Sequence, residues 1–232
     1  MKKIGLIGGV GPESSIEYYR LIIKRFQDRL GTKDYPEMII NSINMTEMLN
    51  YVFNKQLDKL VDFLTDRIKI LELSGVDYGA IASNTPHIVF DRLAEKLTIP
   101  LISIVEETCK EINDKKMQRV GLFGTKSTMT NGFYNRVAER FGIDILIPEP
   151  DKQDYIHDKY MTELVFNKIF PDTKQQLIRI VRKLKEKESI QGLILGGTEL
   201  PLILSQTDFN DIEILDTTKI HVESIVTKMI ED

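Results

Sequence analysis

Short apolar runs alternate with longer stretches in which apolar residues recur every three or four positions, and the alternation continues through the whole chain. The runs predict buried strands at 3–7, 37–43, 78–82 and 101–104, then again at 119–123, 144–147, 192–195 and 212–215. The intervening periodic stretches predict helices at 13–30, 55–74, 86–97 and 105–114 in the first part of the chain, with Gly75 stopping the second. A polar loop is expected between residues 43 and 55. The later part carries two further helical stretches, 154–170 and 173–187, joined at Pro171. Short apolar strands separated by helices indicate parallel sheets covered on both faces.

The chain resembles itself. KKIGLIGG at 2–9 answers QRVGLFGT at 118–125, AIASNTPH at 80–87 answers QGLILGGTELP at 191–201, and PLISIVEET at 100–108 answers EILDTTKIH at 213–221. The offsets are nearly constant, 116 from Ile4 to Val120, 114 from Ser83 to Gly197 and 112 from Ile102 to Ile214, so two similar α/β halves are expected. In open parallel sheets a ligand binds at the carboxyl ends of the strands. Four such corners, 8–15, 83–87, 125–130 and 196–199, are rich in Gly, Ser, Thr and Asn. The run 80–87 is expected to lead a buried strand into a helix, with Thr85 as its cap and Pro86 in its first turn, where unpaired N–H groups favour a small anion.

Composition narrows the partners. With 42% hydrophobic and 28% charged residues in a chain of 232, a substantial core is expected. A net charge of -4 argues against nucleic acid as a partner. The densest basic segment, RIVRKLKEK at 179–187, reads as the solvated face of a helix. One cysteine, Cys109, excludes an intramolecular disulfide and fits a reducing compartment. The opening MKKIGLIGG is interrupted too soon by glycine for a signal peptide, and no apolar run approaches the ~20 residues of a membrane span. A cytoplasmic protein without a membrane partner is expected.

Several familiar chemistries fit poorly. GLIGGVGPES lacks the third glycine of a dinucleotide fingerprint, since Ser14 stands there, and it lacks the Gly-Lys-Ser/Thr ending of a phosphate-binding loop. Ser83 and His87 are four residues apart without a G-x-S-x-G elbow, so the spacing alone does not make a nucleophile and base. His87, His157 and His221 are dispersed, and no metal site or other cofactor is expected. Cys109, in EETCKEI, has helical surroundings and lies at no strand end.

GGVGPESSIEYY, SNTPH, GTKSTM, GGTELPLIL and LDTTKIHVE, in that order, resemble the cofactor-independent aspartate/glutamate racemase family over nearly the whole chain. The resemblance implies two pseudo-symmetric Rossmann-like α/β domains, each a parallel sheet flanked by helices, with the active site in the cleft between them, and a homodimer. It implies a first domain of 1–108 plus 209–232 and a second of 109–208. It also implies an amino acid or other small carboxylate as substrate. In that family one cysteine thiolate removes the α-proton of the substrate and a second returns one from the opposite face.

The motifs are similar to CNTxH and GCTE, which puts Ser83 and Gly197 where the two cysteines are expected. A thiol, with a reference pKa of about 8.5, is tunable to a base near neutrality, whereas a serine needs an adjacent base. Gly197 offers only backbone and space. By resemblance, Gly9, Asn84 and Thr85 bind substrate on one side and Thr125, Thr128 and Thr198 on the other. His87 and Glu199 match polar positions beside the cysteines and would orient a base or a water. The segments NMTEML and ELVFNK carry no arginine for a distal carboxylate. Two functions follow: a racemase-family isomerase that moves protons without PLP and without the two thiols, or a silent relative that binds a small carboxylate as a sensor.

Overall fold

A computed structural model of the chain describes residues 1–231. It divides into two compact units, Met1–Ile104 with the chain from His221 onward, and Val105–Ile220.

In the first unit, β1 (Ile4–Gly8), β2 (Met38–Ser42), β3 (Tyr78–Ile81) and β4 (Leu101–Ile102) form a parallel sheet of order β2-β1-β3-β4. Alternation along β1 sends Ile4 and Leu6 to one face and Ile7 to the other. The Ile4 face is covered by Tyr18, Ile22 and Phe26 of α1 (Pro12–Leu30) and by Val222, Ile225, Val226 and Met229 of the C-terminal helix. The Ile7 face is covered by Leu60, Leu64, Ile68 and Leu71, which recur at helical spacing on α3 (Leu57–Leu73).

The second unit repeats the plan. Strands β5 (Arg119–Gly124), β6 (Asp144–Leu146), β7 (Gly192–Gly196) and β8 (Glu213–Asp216) form a parallel sheet of order β6-β5-β7-β8. Its helices are α5 (Ile104–Asp114), α6 (Lys126–Thr130), α7 (Phe133–Glu139), α8 (Pro150–Thr162) and α9 (Pro171–Glu188). Register supports the internal repeat, because Ile4 pairs with Tyr78 and Val120 with Gly192, both at the expected offsets. The edge strands slip by one residue: Ala80 pairs with Ile102, but its counterpart Ile194 pairs with Leu215 rather than Ile214.

Three expectations change. The stretch read as a polar loop contains α2 (Met45–Phe53), started by Asn44, whose side chain accepts from the N–H groups of Thr46 at 3.0 Å and Glu47 at 3.3 Å. The helix expected at 86–97 opens as a 3₁₀ turn (Thr85–Val89) and continues as the short α4 (Phe90–Ala94). Asn84, not Thr85, holds its cap position, no side chain caps it, and His87 N–H closes the tight turn on Asn84 O at 3.0 Å. The chain also crosses between units later than residues 208–209. Strand β8 pairs with β7 in the second sheet, and the division falls within α10 (Thr217–Ile230), whose later turns pack on the first sheet.

Candidate functional site

In the first unit, the ends of β1 and β3 are bound together before any ligand is considered. Ser14, in the first turn of α1, donates to Ala82 O at 2.7 Å. Gly9 has φ of 79°, and a Cβ there would lie 2.7 Å from Ile43 N and from Ser42 Oγ, so only glycine fits the turn. Its N–H donates to Ser15 Oγ at 2.8 Å. The Gly9 N–H is therefore engaged within the turn.

Ser83, Asn84, Thr85 and His87 are all buried. Among the described residues nothing hydrogen-bonds Ser83 Oγ, so the serine has no adjacent base. His87, 4% exposed, stacks on Phe90 with centroids 5.0 Å apart and accepts from Ile104 N–H through Nε2 at 3.3 Å. That bond fixes the tautomer with the proton on Nδ1, a buried atom with no partner among the described residues. Burial first, then the neighbouring His221 ring, push the imidazole down to about 3. His87 is thus a neutral prop under the 3₁₀ turn, and it forms no dyad with Ser83. His221 is likewise structural, with Nδ1 2.8 Å from Tyr18 Oη and Nε2 3.0 Å from Ile102 O.

The second unit's corner is built differently. Thr125 caps α6, its Oγ1 accepting from Thr128 N–H at 3.2 Å and lying 3.0 Å from Thr128 Oγ1. These two threonines, expected to bind substrate, hold each other. His157 of α8 accepts from Lys126 N–H through Nδ1 at 3.3 Å, and the Lys126 ammonium pairs with Asp154 on the same helix. Burial and then Lys126 lower the His157 pKa.

At the end of β7, Glu199 is 2% exposed. Thr198 Oγ1 donates to its Oε2 at 2.8 Å, and the Tyr160 hydroxyl, arriving from α8, donates to the same oxygen. A buried carboxylate requires such donors. Burial first, and Glu199 next, raise the Tyr160 pKa well above the usual phenol value, so the hydroxyl keeps its proton. A Cβ on Gly197 would lie 2.9 Å from both Cζ and Oη of Tyr160, and closer still to Cε2. The space beside Gly197 is therefore filled by Tyr160. Sequence reading missed this residue; the available signal was the i, i+3 spacing of His157 and Tyr160, which puts both on one face of α8. Cys109, fully buried in α5, lies at neither corner, and burial pushes its thiol up to about 12, with Glu106 adding to the rise.

Among the described residues no cluster of His, Cys, Asp and Glu is arranged to hold a metal ion, and no helix is long and apolar enough to cross a membrane.

Two parallel four-stranded sheets, each flanked by helices and each ending in polar strand-end corners, define the fold class of the aspartate and glutamate racemases. The chain belongs to the Asp/Glu/Hydantoin racemase family, whose model matches residues 7–225. It is similar to the broad specificity amino-acid racemase RacX of Bacillus subtilis (strain 168), 30% identical over 146 residues, a match spanning 62% of this chain and 63% of RacX. Among solved structures it is similar to an aspartate racemase homologue from Pyrococcus horikoshii OT3, with TM-score 0.87, 35% identity and full coverage of both chains. A candidate Asp/Glu racemase from Yersinia pestis superposes with TM-score 0.92 at 28% identity, again over all of both chains.

Proposed function

We propose that this protein is a PLP-independent amino-acid isomerase of the racemase type, cytoplasmic and homodimeric, which moves a proton at the α-carbon of an amino acid, with acidic amino acids as the first substrates to test. The supporting observation is the buried Glu199 carboxylate at the end of β7, with two hydroxyl groups converging on one of its oxygens. A cluster of that kind handles protons without a thiol. Ser83 supplies the first corner's side-chain oxygen at the position where resemblance expects a cysteine. Asn84, Thr85 and Thr198 are the polar groups proposed to hold the substrate. His87, neutral and bound to backbone, supports the 3₁₀ turn from beneath.

The test is Cα deuteration in D₂O followed by NMR, using L- and D-aspartate, L- and D-glutamate and a broad amino-acid panel. The native protein is expected to exchange the α-proton of at least one member, and Glu199→Gln is expected to slow that exchange by roughly 10²-fold or more. An inert native protein would remove the isomerase reading. It would leave the second reading, a carboxylate-binding relative, which the unpartnered Ser83 hydroxyl favours and which calorimetric titration with the same panel detects.

A further inference from the structure

The place beside Gly197 is occupied, but by a side chain from elsewhere in the unit. Tyr160 reaches it from α8, with Cζ and Oη each 2.9 Å from where a Cβ on residue 197 would stand. Its ring is nearly buried at 7% exposure, and its hydroxyl is oriented by donation to Glu199 Oε2, the oxygen that Thr198 Oγ1 also reaches at 2.8 Å. Glycine at 197 and tyrosine at 160 are therefore one feature, since any larger residue at 197 displaces the ring.

We propose that Tyr160 is a catalytic residue of this corner, its hydroxyl taking the place of a side chain on residue 197 and relaying protons between the substrate's α-carbon and Glu199. The inference rests on the isomerase reading above. In the forward step the Cα–H bond breaks, its proton forms a new O–H bond on the phenol oxygen, and the phenol's original proton passes to Glu199 Oε2. The C–H electron pair stays on the α-carbon and spreads into the substrate carboxylate. In the return step the phenol's O–H breaks, its proton goes to the carbanion, and Glu199 restores the phenol. A phenol that keeps its proton through the neutral range suits a relay, in which it is never required to be a free phenolate.

The test compares native protein, Tyr160→Phe, Gly197→Cys and the double variant Gly197→Cys/Tyr160→Ala, in the same Cα deuteration assay and by alkylation with iodoacetamide. Tyr160→Phe keeps the ring and removes only the hydroxyl. It is expected to stay folded under the assay conditions, to lower kcat for exchange by roughly 10²-fold or more, and to leave KM within about threefold. The Gly197→Cys thiol, shielded by the ring, is expected to react at least about tenfold more slowly than the same thiol in the double variant. Cys109, buried and with its pKa near 12, stays silent in both. Native exchange that persists at full rate in Tyr160→Phe overturns the relay, as does equal alkylation of the two thiols. A native protein inert across the panel instead overturns the isomerase reading on which the relay depends.

Discussion

The corner after β3 and the corner after β7 are counterparts in a repeated topology, yet they present hydroxyl groups in opposite ways. After β3 the hydroxyl belongs to the strand-end residue itself, Ser83, and nothing described binds its Oγ. After β7 the strand-end residue, Gly197, has no side chain, and the hydroxyl comes from Tyr160 on a helix 37 positions earlier, already bound to a carboxylate. The supporting groups differ too. A neutral imidazole attached to backbone props the first corner, and a buried carboxylate with hydroxyl donors props the second. Two copies of one fold can thus carry a hydroxyl at the same strand end from different backbone positions, because side chains from several elements reach that end.

The largest expected effect breaks this contrast directly. Gly197→Cys pushes a side chain into the Tyr160 ring, and overpacking of this kind costs about 1–3 kcal/mol. Ser83→Cys, at the counterpart position, is a near-isosteric change expected to cost less than about 1 kcal/mol. A double-mutant cycle with Tyr160→Ala sharpens the point. Removing the ring relieves the collision, so the double variant should be more stable than the two single losses imply, by about 0.5–3 kcal/mol in urea denaturation. Strict additivity would mean that residues 160 and 197 do not compete for the same space.

Much of this architecture was legible in the chain. Eight apolar runs gave eight strands, and the offset between KKIGLIGG and QRVGLFGT anticipated equivalent registers in two sheets of the same order. What escaped reading was local or long-range. Asn44 followed three residues later by Glu47 is a helix-start signal, and it was lost in an otherwise polar stretch. The return of the chain to the first unit was misplaced because β8 is short and apolar in either setting, and only its pairing with β7 decides where it belongs. Thr125 and Thr128 were read as ligand groups, and the cap that joins them at three residues' spacing across a helix start was not foreseen. Tyr160 was invisible for a different reason. A glycine announces space, and no local pattern says which distant side chain fills it.

The second effect concerns the imidazole that distinguishes the first corner. In the unfolded chain His87 titrates near 6.5, whereas in the folded protein burial holds it near 3. Between those values the unfolded state binds a proton that the native state refuses, so stability rises with pH and is lost as pH falls from about 6.5 towards 3. The slope from one such group approaches about 1.4 kcal/mol per pH unit. Urea denaturation at pH 7, 6 and 5 should show this loss in the native protein and a shallower slope in His87→Gln, the remainder coming in part from His157, whose pKa is also lowered. Equal slopes in the two proteins would mean that His87 takes up its proton in the folded corner as readily as in the unfolded chain, and that burial does not hold it neutral.

The smallest effect is the sharpest statement about the first corner. Removing a hydroxyl that makes no hydrogen bond takes away no net interaction, so Ser83→Ala should change stability by no more than about 0.5 kcal/mol. The same truncation logic applied to Tyr160→Phe removes a donor to a buried carboxylate and should cost more, about 1–3 kcal/mol, because Glu199 loses one of its hydroxyl partners. The ordering of the two losses is what matters. If Ser83→Ala proves the costlier, the serine hydroxyl is bound within the folded protein, and the two corners differ in sequence without differing in how their hydroxyls are held.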